Sequence, residues 1–209
     1  MKKIFVLTFL ILALFATTCS AAKTAKSSPA EDVQTLCAAI LHGDEVSLEK
    51  IGMTKADYTN LINAELQKQY SSMNEFSFTE SQKEAIGAVI LDIFQRSDFS
   101  TKTVSESGKK ATVKITVSIF EKINDDYLSS KLAEYVHTQL PADFNINNLS
   151  KDEETQLVAD ILVFALENVK IVGYEDITVK CKYSSEDKMW APVDKNFGEL
   201  IVKKMLNEV

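Results

Sequence analysis

Hydrophobic positions along the first hundred residues repeat at intervals of three and four. Val33, Leu36, Cys37, Ile40 and Leu41 share one helical face and stop at Gly43, the pattern of a helix closed by a glycine just beyond its end. A short turn over residues 44–51 stops in the same way at Gly52. Thr54 with Asp57 makes a capping-box-like start for a third helix, whose apolar stripe of Tyr58, Leu61, Ile62, Leu66 and Met73 is interrupted by Glu65. Thr79 with Gln82 opens another, with Ile86, Val89, Ile90, Ile93 and Phe94 on its inward face.

At Phe99 the period changes from about 3.6 to 2. Val113, Ile115, Val117 and Ile119 alternate with Thr112, Lys114, Thr116 and Ser118, which predicts a half-buried strand. Residues 99–106 are its simplest partner, through a hairpin turn at Ser107-Gly108-Lys109. Two helices follow: 125–140, with Leu128, Leu132, Tyr135 and Val136 inward, and 151–169, with Leu157, Ile161, Leu162, Ala165 and Val169. Ser150 and Glu153 form a capping box for the second. Ile177, Val179, Cys181 and Tyr183 then alternate in another strand, the Ser184–Asp187 turn leads to a strand ending at Pro192, and 197–206 closes the chain as a short helix. The expected fold class is α+β: N-terminal amphipathic helices packed on a curled antiparallel sheet, with a helical insertion between two strand pairs.

The N-terminus breaks this pattern. Lys2 and Lys3 precede the apolar run IFVLTFLILALFATT, which is too short, and too soon followed by small polar residues, for a membrane span; it is the signature of an export signal. Two cleavage readings stand open. Ser20 with Ala22, or Cys19 with Ala21, supplies the small residues signal peptidase I needs. Alternatively, Ala16-Thr17-Thr18-Cys19 is a lipobox in which the Cys19 thiol receives a diacylglycerol, with Thr18 bulkier than the usual Gly, Ala or Ser before the cysteine. Lys23-Thr24-Ala25-Lys26-Ser27-Ser28-Pro29 then serves as a polar spacer, as in a domain held off a membrane. On this reading 1–22 is a signal peptide region, 23–30 a flexible tether and 31–209 one domain. The expected location is the outer face of the cell membrane, lipid-anchored through Cys19, with a secreted form as the alternative.

The layout, helices followed by hairpins and a last strand Lys188-Met189-Trp190-Ala191-Pro192-Val193 bearing the only Trp, resembles the cone-shaped folds of the nuclear transport factor two and cystatin-like class. More narrowly, the lipobox, the His42-Gly43-Asp44 end of the first helix and the charged turn before Trp190 resemble small lipoproteins of unknown function from low-GC Gram-positive bacteria. This resemblance spans most of residues 31–209. It implies a non-enzymatic binding or scaffold domain at the cell surface, and it brings no catalytic residues with it.

Removing residues 1–22 takes away only Lys2 and Lys3, leaving 21 Lys+Arg against 30 Asp+Glu, a net charge of −9. No Lys/Arg cluster is visible along the chain, so nucleic acid is not an expected partner. An envelope protein or a small apolar ligand is. Cys37 and Cys181 remain after processing, and either one disulfide or two buried thiols is consistent with their apolar slots.

Candidate chemistry is sparse. His42 and His137 are the available imidazole bases, yet no G-x-S-x-G, HExxH or phosphate-cradling glycine loop accompanies them. Glu134 and His137 have Glu-x-x-His spacing, but the second such pair of a di-iron site is missing. Residues 143–154 fit a calcium loop in part: Asp143, Asn145, Asn147, the Leu149 carbonyl and Glu154 stand at the ligand positions, with Asn148 where glycine is expected. The Ser150/Glu153 helix cap accounts for the same residues without a metal, and no metal or other cofactor is expected. Tyr70, Phe94, Phe120, Tyr183 and Trp190 could line an apolar cavity; as plain core they need no ligand.

Overall fold

Four strands pair antiparallel in the order β1 (Phe99–Ser107), β2 (Lys110–Phe120), β3 (Ile171–Ser184), β4 (Met189–Pro192). This computed structural model describes residues 27–72 and 76–207. Alternation along β2 decides the two faces of the curled sheet. Ala111, Val113, Ile115 and Val117 are buried, whereas Lys110, Thr112, Lys114 and Thr116 point the other way. Gly108 makes the β1–β2 turn at φ +62°, and a bulge between Thr103 and Ser105 leaves Val104 exposed. β3 starts at Ile171, six residues before the alternation read from the sequence. The far end of β2, Ser118 to Phe120, needs backbone partners, and Tyr174, Gly173 and Ile171 supply them.

The first helix, α1 (Pro29–Cys37), begins with a Ser28/Glu31 capping box and has Pro29 in its first turn, where a missing N–H leaves no bond unmade. Ser28 and Pro29, within the segment read as a tether, thus form the start of regular structure. The helix continues as a π-helical turn over Ala38–His42 and stops at Gly43. There φ is +56°, which turns the Gly43 and Asp44 amides back onto the carbonyls of Ala39 and Ala38. A Cβ on Gly43 would lie 2.5 Å from the Tyr58 ring, so the same residue admits the close approach of α3 (Lys55–Ser72).

The short α2 (Glu45–Lys50) is capped by Asp44, and α4 (Glu80–Gln95) by a Thr79/Gln82 capping box. The insertion between β2 and β3 holds α5 (Asp125–Gln139) and α6 (Lys151–Glu167), and α7 (Phe197–Met205) ends the fold. α1 packs on β1, β2 and β4, α7 on β2, and α4 on α6. Their apolar stripes meet the buried face of the sheet in one core that contains Ile40, Leu41, Ile62, Ile115, Phe120, Leu166, Trp190 and Ile201.

One expectation fails in α5. Tyr135 is half-buried and Val136 is 37% exposed, and Leu128 is the buried residue of this helix. Their helical spacing predicts both inward. α5 packs chiefly on α6 and away from the sheet, so most of its surface meets water. On α6 Leu157, Leu162 and Ala165, and Val169 just past its end, are buried as expected, joined by Ala159 and Leu166, while Ile161 stands at the margin.

Candidate functional site

Each histidine has a local setting that explains it. Nε2 of His42 lies 2.9 Å from the Ser97 carbonyl, and its ring is 5.1 Å from that of Phe99, so it ties the end of the first helix to the α4–β1 corner. His137 is exposed on α5, and the Glu134 carboxylate beside it is bonded to Lys131 at 2.8 Å. The structure therefore gives the two imidazoles separate surroundings. No cluster of three or more His, Cys, Asp or Glu able to hold a metal occurs among the described residues.

The loop read as a possible calcium site folds as a helix entry. Asn145 Oδ1 accepts from the Asn147 backbone amide at 3.0 Å and from its side-chain amide at 3.2 Å. Ile146–Asn148 form one 3-10 turn, so Asn148 does not adopt the left-handed backbone required of the sixth loop position. Ser150 and Glu153 close their capping box at the start of α6, as the capping reading expects.

Of the aromatic candidates, Phe94, Phe120 and Trp190 are buried core residues, and Tyr183 packs edge-to-face on Trp190 at 5.4 Å. Tyr70 instead borders a surface cleft of about 240 Å³ with Gln67, Phe76, Phe78 and Lys83, and its hydroxyl donates to the Lys83 carbonyl at 2.8 Å. Another cleft, of about 160 Å³, lies between α4 and α6 and is bridged by the Gln82–Gln156 hydrogen bond at 2.7 Å. Cys37 and Cys181 are both free and buried. Burial pushes the Cys37 thiol up, with the nearby Cys181 adding to the effect, and burial pushes Cys181 up to about 11. Neither is poised as a nucleophile.

Two arrangements were not anticipated from sequence. The first is a clasp at the start of the domain. Asp32 is 7% exposed; it accepts the Trp190 backbone N–H at 2.7 Å and the Ser27 hydroxyl at 2.5 Å. Burial pushes its carboxyl above the usual range, against the pull of these two bonds. Ala30 N–H donates to Thr103, and Thr101 donates to the Ala30 carbonyl, so the same turn is also held to β1. The signal was present in the spacing: Asp32 stands four residues before Leu36, on the apolar face.

The second is a cluster of lysines on the solvent face of the sheet, which corrects the inference that no basic cluster exists. Cross-strand register sets Lys102 opposite Lys114, and Lys110 opposite Lys182; Lys180 lies opposite Thr112. These residues are scattered over eighty positions of sequence and meet only because the strands are adjacent. Lys114 bonds Asp176 at 2.9 Å, and Thr116 donates to the same carboxylate at 2.6 Å. Those bonds hold Asp176 below the usual carboxylate range.

No known protein family matches the chain, and no curated protein does. Among solved structures, the crystal structure of YcdA from Bacillus subtilis, provisionally named as a lipoprotein, is similar in fold, with a TM-score of 0.59 at 18% identity. The match covers 83% of this chain and 55% of YcdA, so the chain spans about half the length of that relative. Cys19 lies outside the described residues.

Proposed function

We propose that this chain is a non-enzymatic cell-envelope lipoprotein, anchored through an acylated Cys19 and carrying its α+β domain outside the cytoplasmic membrane as a binding or scaffold module. The observation that carries the reading is the position of the clasp. Ser27, eight residues after Cys19, is bonded to Asp32, which in turn holds the Trp190 amide, so the domain starts where a short polar spacer from a membrane anchor would end. The export pattern before Cys19 and the likeness in fold to YcdA support it. Among the described residues no helix is long and apolar enough to cross a membrane. A ligand-filled cone lined by the core aromatics is the weaker reading, because Phe94, Phe120 and Trp190 are packed within the core.

Cys19→Ser tests the anchor. Two acyl chains hold a protein on a bilayer where one does not, since each buried methylene contributes about 0.8 kcal/mol. The unmutated protein should pellet with membranes and the variant should appear in the soluble fraction after export. An unmutated protein that is already soluble, with its N-terminus at Ala22 or Lys23 by mass spectrometry, would overturn the reading.

A further inference from the structure

The solvent face of the sheet is charged in a way the rest of the chain is not. The whole sequence has 30 acidic against 23 basic residues. On the strand positions of this face, however, Lys102, Lys110, Lys114, Lys180 and Lys182 stand against one carboxylate, Asp176. The end of β1 and the adjoining turns carry both signs, with Lys109 and Lys188 beside Glu106, Glu186 and Asp187.

Lysines on a sheet have two ordinary explanations, solvation and protection of an edge strand. Neither fits this arrangement well. Lys110, Lys114 and Lys182 lie where their strands are paired on both sides, so they guard no edge. Two of the cross-strand pairs, Lys102 with Lys114 and Lys110 with Lys182, set like charges directly opposite one another, an arrangement that destabilises a sheet. Asp176 relieves the first pair through its bond to Lys114. At the second pair, Lys180 stands two residues along in the register, and the carbonyl of Lys109, in the turn just before Lys110, accepts the Tyr183 amide.

We infer that this face docks on the anionic headgroups of a phospholipid bilayer. Location favours a lipid surface, and this part of the argument rests on the anchored reading above. The domain's first turn is fastened to Trp190 and Thr103, which lie next to the lysine rows along the strands but on the opposite, core-facing side of the sheet: Trp190 pairs with Tyr183, next to Lys182, and Thr103 follows Lys102. The eight-residue step from Cys19 to Ser27 reaches at most about 29 Å when fully extended, a span longer than the sheet is thick, so an acylated Cys19 would hold the domain near the bilayer and leave it room to turn the lysine face toward it. Shape agrees. With strands about 4.8 Å apart and residues about 3.3 Å apart along each, the lysines occupy a patch roughly 10 by 13 Å, the footprint of a few headgroups. Ala191 and the 61% exposed Val193, whose amide bonds the Lys180 carbonyl, put apolar groups at its margin.

The test uses the exported chain carrying Cys19→Ser, so that no acyl chain contributes, and measures co-sedimentation with vesicles of phosphatidylcholine with or without phosphatidylglycerol. Binding should require phosphatidylglycerol and weaken as salt rises. Each lysine near an anionic surface is worth about fivefold in partitioning, so adding Lys110→Gln and Lys182→Gln should lower it roughly 25-fold. The same pair of changes should leave thermal stability unchanged or raised, because it removes an opposed like-charge pair. Equal binding by the substituted chain, or none to phosphatidylglycerol vesicles, overturns the proposal. Binding to soluble polyphosphate without binding to vesicles overturns it too, and assigns the face to a polymer. Failure of the anchored reading would appear separately, as a soluble unmutated protein.

Discussion

Replacing Asp32 isolates what the clasp contributes. Asp32→Ala removes the acceptor of the Trp190 backbone N–H and of the Ser27 hydroxyl. A buried hydrogen bond to a charged acceptor contributes about 1.5–3 kcal/mol, and the part-buried Ser27 bond about 0.5–1.5 kcal/mol. The expected loss is therefore about 2–4 kcal/mol, or a fall in Tm of roughly 4–16 °C for a domain of this size. Asp32→Asn behaves differently. Its carbonyl oxygen can still accept from Trp190 and its amide can donate to the Ser27 hydroxyl, while the charge disfavoured by burial is gone; the cost should stay below about 1 kcal/mol. Urea unfolding followed by the fluorescence of Trp190, the only tryptophan, measures both variants.

The sign of the pH dependence follows from the direction of the shift. A carboxyl whose value is raised on folding contributes fully below its unfolded value and loses that contribution as pH rises through the raised folded value. The wild type should thus gain stability relative to Asp32→Asn as pH falls through that range. Asp32→Asn proving as damaging as Asp32→Ala would show that the ionised carboxylate is itself required and that this account of the clasp is wrong.

Gly43→Ala should cost about 2–4 kcal/mol in the same urea experiment, combining the left-handed backbone with the 2.5 Å approach of Tyr58; a cost under 1 kcal/mol would mean that α3 moves aside freely. In the Cys19→Ser chain, Cys37 and Cys181 should both resist a thiol reagent at pH 8 while folded and both react in urea, because burial raises both thiols. One thiol reacting at once in the folded chain, or none reacting in unreduced urea, would contradict two buried free cysteines.

Much of this fold was legible as local pattern. The capping residues Thr54, Thr79 and Ser150, the stop at Gly43 and the alternation of Val113, Ile115 and Val117 each act through neighbours a few residues away. Their hydrogen bonds and periodicity are therefore written in short windows of sequence. The α+β class followed from their order. Other features needed the chain to be closed on itself. Val136 and Tyr135 occupy helical positions that sequence alone treats as buried, but how much of α5 is covered depends on where α6 and the sheet lie. The spacing puts Asp32 on the apolar face with Leu36, but its partner is fixed only when Trp190, 158 residues away, presents its amide. The candidate site falls wholly in this second class. Lys102, Lys110, Lys114, Lys180 and Lys182 form no run and no motif; strand register places them on one face, at a spacing of about 5 Å across strands. Sequence determines the alternation that turns each of these side chains outward, and only the pairing of distant strands determines which charges become neighbours.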